Sequence, residues 1–234
     1  MLIHHPYDSL GGANHGWLNA KHHFSFAGYH DAEKMSHGEL LVINDDLIAP
    51  QTGFDPHPHR DMEIITYVRR GAISHQDDQG NQGCTSAGNV QVMSAGSGIV
   101  HSEYNLENDE TSLYQIWITP QQRGIAPVWD MAEFPPAPVD GRLTLLVSGD
   151  GSAPLQINQD ARIYAGRMTA GHTLTHQIKG KAYVLVSAGM VHVNAITATK
   201  GDGIAISDEA DITLRAAPQA ELLIIEVPGE KAAR

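Results

Sequence analysis

The feature that most constrains the fold of this sequence is a short run of apolar residues in an alternating pattern, which recurs along the chain. Side chains of a β-strand point alternately to its two faces, so a period of two indicates half-buried strands. Turns rich in Gly, Asp and Asn separate the runs, and no long helical pattern interrupts them. The runs are ELLVIND, MEIITYV, NVQVMSA, LYQIWIT, RLTLLVS, KAYVLVS, MVHVNAI, GIAIS and ELLIIEV. The sequence therefore predicts an all-β protein, built as a sandwich or barrel.

The strand pattern occurs twice, which predicts two domains. In the first copy, ITYVRRGAISH ends one strand and begins another at Gly71, and YVLVSAGMVHV repeats this arrangement at Gly189. A second glycine-led strand follows each copy, from Gly88 and from Gly201. Because the copies lie about 115 residues apart, we infer two related β domains.

A proline-rich segment, PQQRGIAPVWDMAEFPPAPVDG, lies between the copies and includes Pro135 and Pro136. Prolines interrupt regular structure, so this segment predicts a linker. The stretch PVWDMAEF inside it is compatible with one short helix. We expect a first domain of residues 1–130 and a second domain of residues 131–234.

The composition argues against a nucleic-acid-binding, a secreted or a membrane-spanning protein. The chain has 15 Lys and Arg against 27 Asp and Glu, a net charge of -12, which argues against direct nucleic-acid binding through a basic face. Cys84 is the single cysteine, so no internal disulfide forms and a reducing compartment fits. The N-terminal MLIHHPYDSL has no signal-peptide pattern, and no apolar run reaches the ~18 residues of a membrane span. We expect a cytoplasmic protein.

Two pairs of polar residues have the spacing of a metal site. His57 and His59 in FDPHPHRDMEI are two residues apart, and so are His101 and Glu103 in GIVHSEYN. In a strand each pair faces one side, about 6.6 Å apart. If the two strands are neighbours, three imidazoles and one carboxylate converge. That set suits a mononuclear first-row metal ion with open positions.

Glu63 is the competing carboxylate. In a straight strand Asp61 and Glu63 share the face of His57 and His59, but Glu63 lies about 13 Å beyond His59. It reaches the same ion only if the strand bends, so the spacing favours Glu103. Spacing alone also leaves open an ordinary polar strand without metal.

Three stretches resemble the pirin family of the cupin superfamily: HPHRDMEIITYV, GNVQVMSAGSGIVHSEYN and LYQIWI. The N-terminal HGWLNAKHHFSFAGYHD is similar to bacterial pirins. The first cupin motif, His-x-His and a later Glu, is met by His57, His59 and Glu63, and the second by Gly88, Gly96, His101 and Asn105. Ser94 replaces a proline of the second motif, and the loop between Gly96 and His101 is two residues longer, which is itself pirin-like.

The resemblance implies two tandem cupin domains, each a jelly-roll β-barrel. It implies one divalent transition metal ion in the first domain, with His57, His59, His101 and Glu103 as ligands. Iron is the first candidate, and such a ligand set also accepts Ni, Co, Cu, Mn or Zn. The second copy offers His172 and His176, four residues apart and without a close acid, so we expect a degenerate, metal-free domain.

The family also implies a function: quercetin 2,3-dioxygenase activity, with a planar flavonol and O₂ as substrates. Glu103 would be the catalytic residue that takes the substrate's proton. Phe54, Met62 and Gln115 are candidate substrate contacts, with plain core packing as the alternative for each. Two other functions stay open: a regulator that acts through a protein partner, and a metal-binding cupin whose substrate is unrelated to flavonols.

Overall fold

The computed structural model describes residues 1–134, 137–139 and 141–229. These residues form strands and one short 3₁₀ helix, Tyr7–Ser9, so the all-β prediction is confirmed. No helix in this part of the chain has the length and apolar character that crossing a membrane requires. The linker prolines Pro135 and Pro136 lie outside the described residues.

The strands of the first half are Leu2–His5 (β1), Gly11–Asn14 (β2), Leu18–His22 (β3), Leu40–Ile48 (β4), Thr52–His59 (β5), Glu63–Arg70 (β6), Ala72–Asp77 (β7), Gln82–Ser86 (β8), Asn89–Ser94 (β9), Ile99–Asn105 (β10), Thr111–Ile118 (β11) and Val128–Glu133 (β12). Those of the second half are Thr144–Ser148 (β13), Leu155–Gln156 (β14), Arg162–Met168 (β15), Thr173–Gln177 (β16), Lys181–Val193 (β17), Ile196–Thr199 (β18), Gly203–Ile206 (β19) and Asp211–Val227 (β20).

Two sheets enclose the interior of the first half. One has the order β12-β9-β6-β11-β4-β3-β2, and the other has the order β5-β10-β7-β8. Apolar side chains from both sheets meet between them, because alternate residues of each strand point inward. One such cluster contains Leu18, Ile48, Val68, Ile73 and Leu113. The sheet of β5, β10 and β7 carries the candidate ligands, so it positions the site described below.

The second half is a nine-stranded sheet with the main path β1-β19-β17-β20-β15-β13-β14, to which β16 and β18 are added. The sequence predicted that one strand ends and another begins at Gly189, and this prediction is wrong. Gly189 lies inside β17, where the pairing with β20 shifts register between Gly189 and Val191. Gly189 has φ +73°, a conformation that only glycine adopts easily, so the strand bends there without ending.

The predicted helix in PVWDMAEF is also wrong, because Val128–Glu133 forms strand β12 and pairs antiparallel with β9. A free edge of β9 offers this segment a full set of backbone hydrogen bonds, which outweighs a weak local helical preference. The boundary that we expect between residues 130 and 131 falls within this strand. At the other end of the chain, β1 pairs with β19 of the second half.

The two halves share a core. Side chains on the outer face of β6 and β11, such as Tyr67 and Ile116, are buried against Leu185 and Leu223 of the second half. The opposite faces of the same strands point into the first half, where Gln115 is found beside Leu113 and Trp117. The shared core thus fixes the rear wall of the candidate site.

Candidate metal centre

Three histidines converge on two neighbouring strands. Strand β10 pairs antiparallel with β5, with His101 opposite His57 and Ile99 opposite His59. Their ring nitrogens lie within 4.8 Å of one another, and the Nε2 atoms of His57 and His101 are 3.1 Å apart. The geometry thus brings together the three imidazoles that the spacing predicted.

The sequence of β5 explains why its histidines point inward. The strand lies at the edge of its sheet, where proline is tolerated because no ladder partner needs its missing N–H. Pro56 and Pro58 alternate with the histidines and are exposed, while His57 and His59 are half-buried. The prolines therefore take the outer face and leave the inner face to the imidazoles.

Glu103 lies two residues after His101 and is buried. The Gln91 amide donates a hydrogen bond to its Oε1 atom and the Gln115 amide to its Oε2 atom, both at 2.7 Å. Burial raises the pKa of the Glu103 carboxyl to about 7, although the two amide donors act in the opposite direction. The carboxyl is thus held in one orientation beside His101.

The four predicted ligands do not form one compact group. Glu103 belongs to a second group, whose ligand atoms also lie within 4.8 Å of one another, with His75 and His101. His101 is common to both groups and so links Glu103 to the other two histidines. The assignment of all four residues to one ion stays a proposal.

His75 was missed by the reasoning from sequence. It lies on β7 opposite Glu103, is buried, and stacks on Trp129 with ring centroids 5.1 Å apart. Its Nε2 atom is 3.0 Å from Asp77. The sequence did contain a signal for His75, because His75 and Asp77 are two residues apart, like the predicted ligand pairs.

Glu63 faces away from the histidines. Its carboxylate accepts hydrogen bonds from the Ser94 hydroxyl at 2.5 Å and from the backbone N–H of Asn158 at 3.1 Å. Asn158 belongs to the second half of the chain, so Glu63 lies at the junction of the two halves. The expectation that Asp61 and Glu63 share the histidine face is not met.

A cavity of about 200 Å³ adjoins the three-histidine group. His57, His59 and Gln115 lie on its wall, together with the aromatic rings of Phe54 and Trp117. Of the three candidate substrate contacts, Phe54 and Gln115 therefore line this cavity. Met62 packs instead against the cluster of Ile64, Met93, Ala95 and Ile99.

Asp46 also lines this cavity, and sequence reasoning missed it. The side chain is buried, and its Oδ1 atom has no hydrogen-bond partner. Burial raises the pKa of its carboxyl to about 8, and the negative charges of Asp45 and Glu103 add to the effect. In its protonated form this carboxyl can donate a hydrogen bond to a polar group in the cavity.

The donor set fits a first-row divalent metal ion. The Nδ1 atom of His57 lies 2.7 Å from the carbonyl oxygen of Asp55 and donates to it, so Nε2 is the ring nitrogen that can coordinate an ion. Burial, aided by the neighbouring histidines, lowers the pKa of His59 to about 4 and that of His101 to about 3. Neutral imidazoles beside a carboxylate are the ligands that such ions prefer.

In the second half, one histidine is paired with a carboxylate and not with other histidines. His176 is buried there, with its Nε2 atom 3.0 Å from Glu226 and its ring against Tyr164. Among the residues that the structure describes, both groups with metal-ligand geometry lie in the first half. A metal-free second domain remains a prediction.

Family profiles match most of the chain. The profile "Pirin" matches residues 4–118, and the profile "Quercetinase C-terminal cupin domain" matches residues 145–227. The two matched regions carry the two strand patterns found in the sequence.

Individual relatives cover nearly the whole chain. A pirin-like protein of Caulobacter vibrioides is 52% identical over 97% of this chain and 99% of its own length. A protein of Escherichia coli K12 named quercetin 2,3-dioxygenase is 42% identical over 97% and 99%. The crystal structure of the bacterial pirin YhhW from Escherichia coli in complex with nickel(II) is similar, with a TM-score of 0.92, 40% identity and coverage of 97% and 99%.

Proposed function

The chain belongs to the pirin family, with two cupin domains, and on this premise we propose that it is a metal-dependent dioxygenase that opens the ring of a flavonol such as quercetin. The observation that carries the proposal is the convergence of three imidazoles beside a cavity with aromatic walls. The relative named quercetin 2,3-dioxygenase supports the same reaction class.

We assign His57, His59, His101 and Glu103 as the ligands of one ion, with iron as the first candidate. When bound, the ion supplies a Lewis acid that lowers the pKa of a coordinated substrate hydroxyl. The similar bacterial pirin whose crystal structure contains nickel(II) supports nickel as a second candidate. Metal analysis of protein purified from its own organism, without exposure to a metal column, would test the assignment to iron.

The side chains around the cavity have distinct roles in this proposal. Phe54 and Trp117 present aromatic surface to a planar ring, and packing against them excludes water. Glu103 takes the proton of the substrate hydroxyl, and the Gln91 and Gln115 amides hold its carboxylate ready for that transfer. Both atoms of O₂ enter the opened product, and one ring carbon leaves as carbon monoxide.

The direct test is the loss of quercetin absorbance under air with purified, metal-loaded protein. Turnover at ordinary enzyme rates, about 1–10³ s⁻¹, would support the proposal. Absence of turnover with every first-row metal would contradict it. In that case a stable complex with a defined protein partner would favour the regulator function.

The size of the cavity favours a second candidate substrate, a single hydroxylated aromatic ring. Pockets for drug-sized ligands usually measure about 300–1,000 Å³, and this cavity measures about 200 Å³. A single hydroxylated aromatic ring fits such a volume better than a complete flavonol does. Assaying single-ring diphenols beside quercetin would decide between them, because a higher kcat/KM for the smaller compounds would show that the flavonol is not the preferred substrate.

A further inference from the structure

His101 is in contact with a second histidine on the side away from His57. Its Nδ1 atom lies 3.4 Å from the Nδ1 atom of His75, and the Nε2 atom of His75 lies 3.0 Å from the Oδ2 atom of Asp77. The side chains of His75 and Asp77 are both 0% exposed. His101, His75 and Asp77 therefore form a buried chain of hydrogen-bonded groups, which begins at a candidate ligand and ends at a carboxylate.

The hydrogen bonds around Asp77 fix the direction of this chain. Its Oδ1 atom accepts from the backbone N–H groups of Gln79 at 3.0 Å and Asn81 at 2.9 Å, and its Oδ2 atom accepts from the Asn81 amide at 2.9 Å. A carboxylate surrounded by donors acts as an acceptor. The Nε2 atom of His75 must therefore carry its proton toward Asp77.

The tautomer of His101 follows from that of His75. With the proton on Nε2, the neutral ring of His75 has a bare Nδ1 atom that accepts a hydrogen bond. The Nδ1 atom of His101 must then donate, which leaves its Nε2 atom bare and directed at the Nε2 atom of His57, 3.1 Å away. Two bare nitrogens at this distance repel each other unless a cation is shared between them.

We propose that His75 and Asp77 are positioning residues that lock His101 in the tautomer and orientation that present Nε2 to the metal ion. The proposal rests on the metal centre assigned above, and it adds two residues to that centre. Stacking on Trp129 holds the His75 ring in place, and the pairing of β7 with β10 sets Asp77 opposite His101. Partners of this kind, on the far nitrogen of a ligating histidine, orient the ring and raise its basicity.

The competing role for His75 is direct ligation of a second ion with His101 and Glu103, whose ligand atoms lie within 4.8 Å of one another. The hydrogen bonds argue against this role. The Nε2 atom of His75 is engaged by Asp77, and its Nδ1 atom faces the Nδ1 atom of His101 at 3.4 Å. The two roles predict different stoichiometries, one ion per chain or two.

The test compares His75→Asn with His75→Leu in the full-length protein. The two side chains are similar in size, but the Asn carbonyl oxygen can sit where Nδ1 accepts from His101, and Leu offers no acceptor. Zinc affinity is measured by competition with a chelator at one fixed pH. We expect His75→Leu to bind zinc about 10–100-fold more weakly than the wild type and His75→Asn to stay within about threefold.

Two further measurements separate positioning from a general loss of structure. Thermal unfolding of the metal-free variants shows whether both fold to the same extent. In NMR spectra of the zinc-loaded protein, the ring N–H proton of His101 should exchange slowly with solvent in the wild type and in His75→Asn, and rapidly in His75→Leu. The pair His176→Asn and His176→Leu is the matched control, because His176 is also buried against a carboxylate, and neither change should alter zinc affinity.

Equal losses in His75→Asn and His75→Leu would overturn the proposal, and so would wild-type affinity in His75→Leu. Two zinc ions in the wild type and one in His75→Leu would make His75 a ligand instead. Because none of these readouts uses quercetin, the proposal can hold even if the flavonol activity is absent.

Discussion

At the scale of single residues, one backbone conformation separates the two candidate carboxylates. Asp61 lies between β5 and β6 with φ +48°, a left-handed conformation that is uncommon for residues other than glycine. The strand therefore does not continue straight from His59 to Glu63. Glu63 instead reaches Ser94 and Asn158, while Glu103 stays beside His101.

This difference predicts unequal effects of matched substitutions. Glu103→Gln keeps the size of the side chain but cannot accept the proton of the substrate. Loss of a general base typically costs ~10²–10⁴ in rate, so we expect quercetin turnover at saturating metal to fall at least ~100-fold. Glu63→Gln should lose much less. Steady-state kinetics of both variants, with bound metal measured in parallel, check this, and the assignment fails if Glu63→Gln is inactive while Glu103→Gln is active.

At the scale of elements, the edge strand β5 supplies two of the three imidazoles. Replacing both by His57→Ala and His59→Ala should leave a chain that does not retain metal, because His101 and Glu103 alone provide too few ligands. The fold should persist, since the apolar clusters between the sheets do not include these histidines.

Metal analysis and thermal unfolding of this double variant test the prediction. His172→Ala with His192→Ala, two histidines of the second half, is the control and should keep its metal. Stoichiometric metal in the β5 variant would show that the ligands lie elsewhere.

The bend in β17 depends on Gly189. A Cβ atom there would lie 1.8 Å from the backbone oxygen of Gln219, so the paired strands would have to separate. Gly171 has a similar φ of +77°, but a Cβ atom there meets nothing within 4 Å. The left-handed conformation alone costs an L-residue about 1–2 kcal/mol.

We therefore expect Gly171→Ala to lower the free energy of unfolding by about 1–2 kcal/mol, and Gly189→Ala to lower it by more or to prevent folding. Urea unfolding of the two variants measures the difference. Equal losses would mean that the bend tolerates a side chain.

At the scale of the whole molecule, buried histidines help to join the N-terminal segment to the second half. The Tyr183 hydroxyl lies 2.9 Å from Nδ1 of His23 and 3.3 Å from Nδ1 of His5. Burial lowers the pKa of His23 to about 3 and that of His5 to about 4. Lys34 lowers both values further, whereas Asp202 raises that of His23.

These shifts predict that acid weakens the junction. The unfolded chain binds protons near pH 6.5, before the folded protein does, so stability is complete above that pH and falls as the pH drops toward 4. One such group changes the free energy of unfolding by about 1.4 kcal/mol per pH unit. His23→Gln can still pair with Tyr183 but does not titrate, so its stability should fall less steeply between pH 6 and pH 4.

Urea unfolding of metal-free protein across this pH range provides the measurement. His30→Gln, a change at an exposed histidine, is the control and should follow the wild type. If the free energy of unfolding of His23→Gln falls with pH as steeply as that of the wild type, protonation of His23 does not cause the acid sensitivity of the junction.

The alternating pattern by itself indicated that the chain is all-β and which key residues share a face, although it missed the segment that forms β12. Burying one face of a strand requires a period of two, so the sequence alone indicated that His57 and His59 share a face, as do His101 and Glu103. The motif and the strand pattern together also identified the family, which the comparisons confirmed.

Only the tertiary structure decided which strands became neighbours and how the turns between them ran. Periodicity describes one strand at a time, and therefore could not show that His75 and Asp77 would lie behind His101 or that β1 would join β19. It also gave no sign of the left-handed turn at Asp61, which removes Glu63 from the site. These features depend on contacts between distant parts of the chain, and such contacts form only when the sheets pack together.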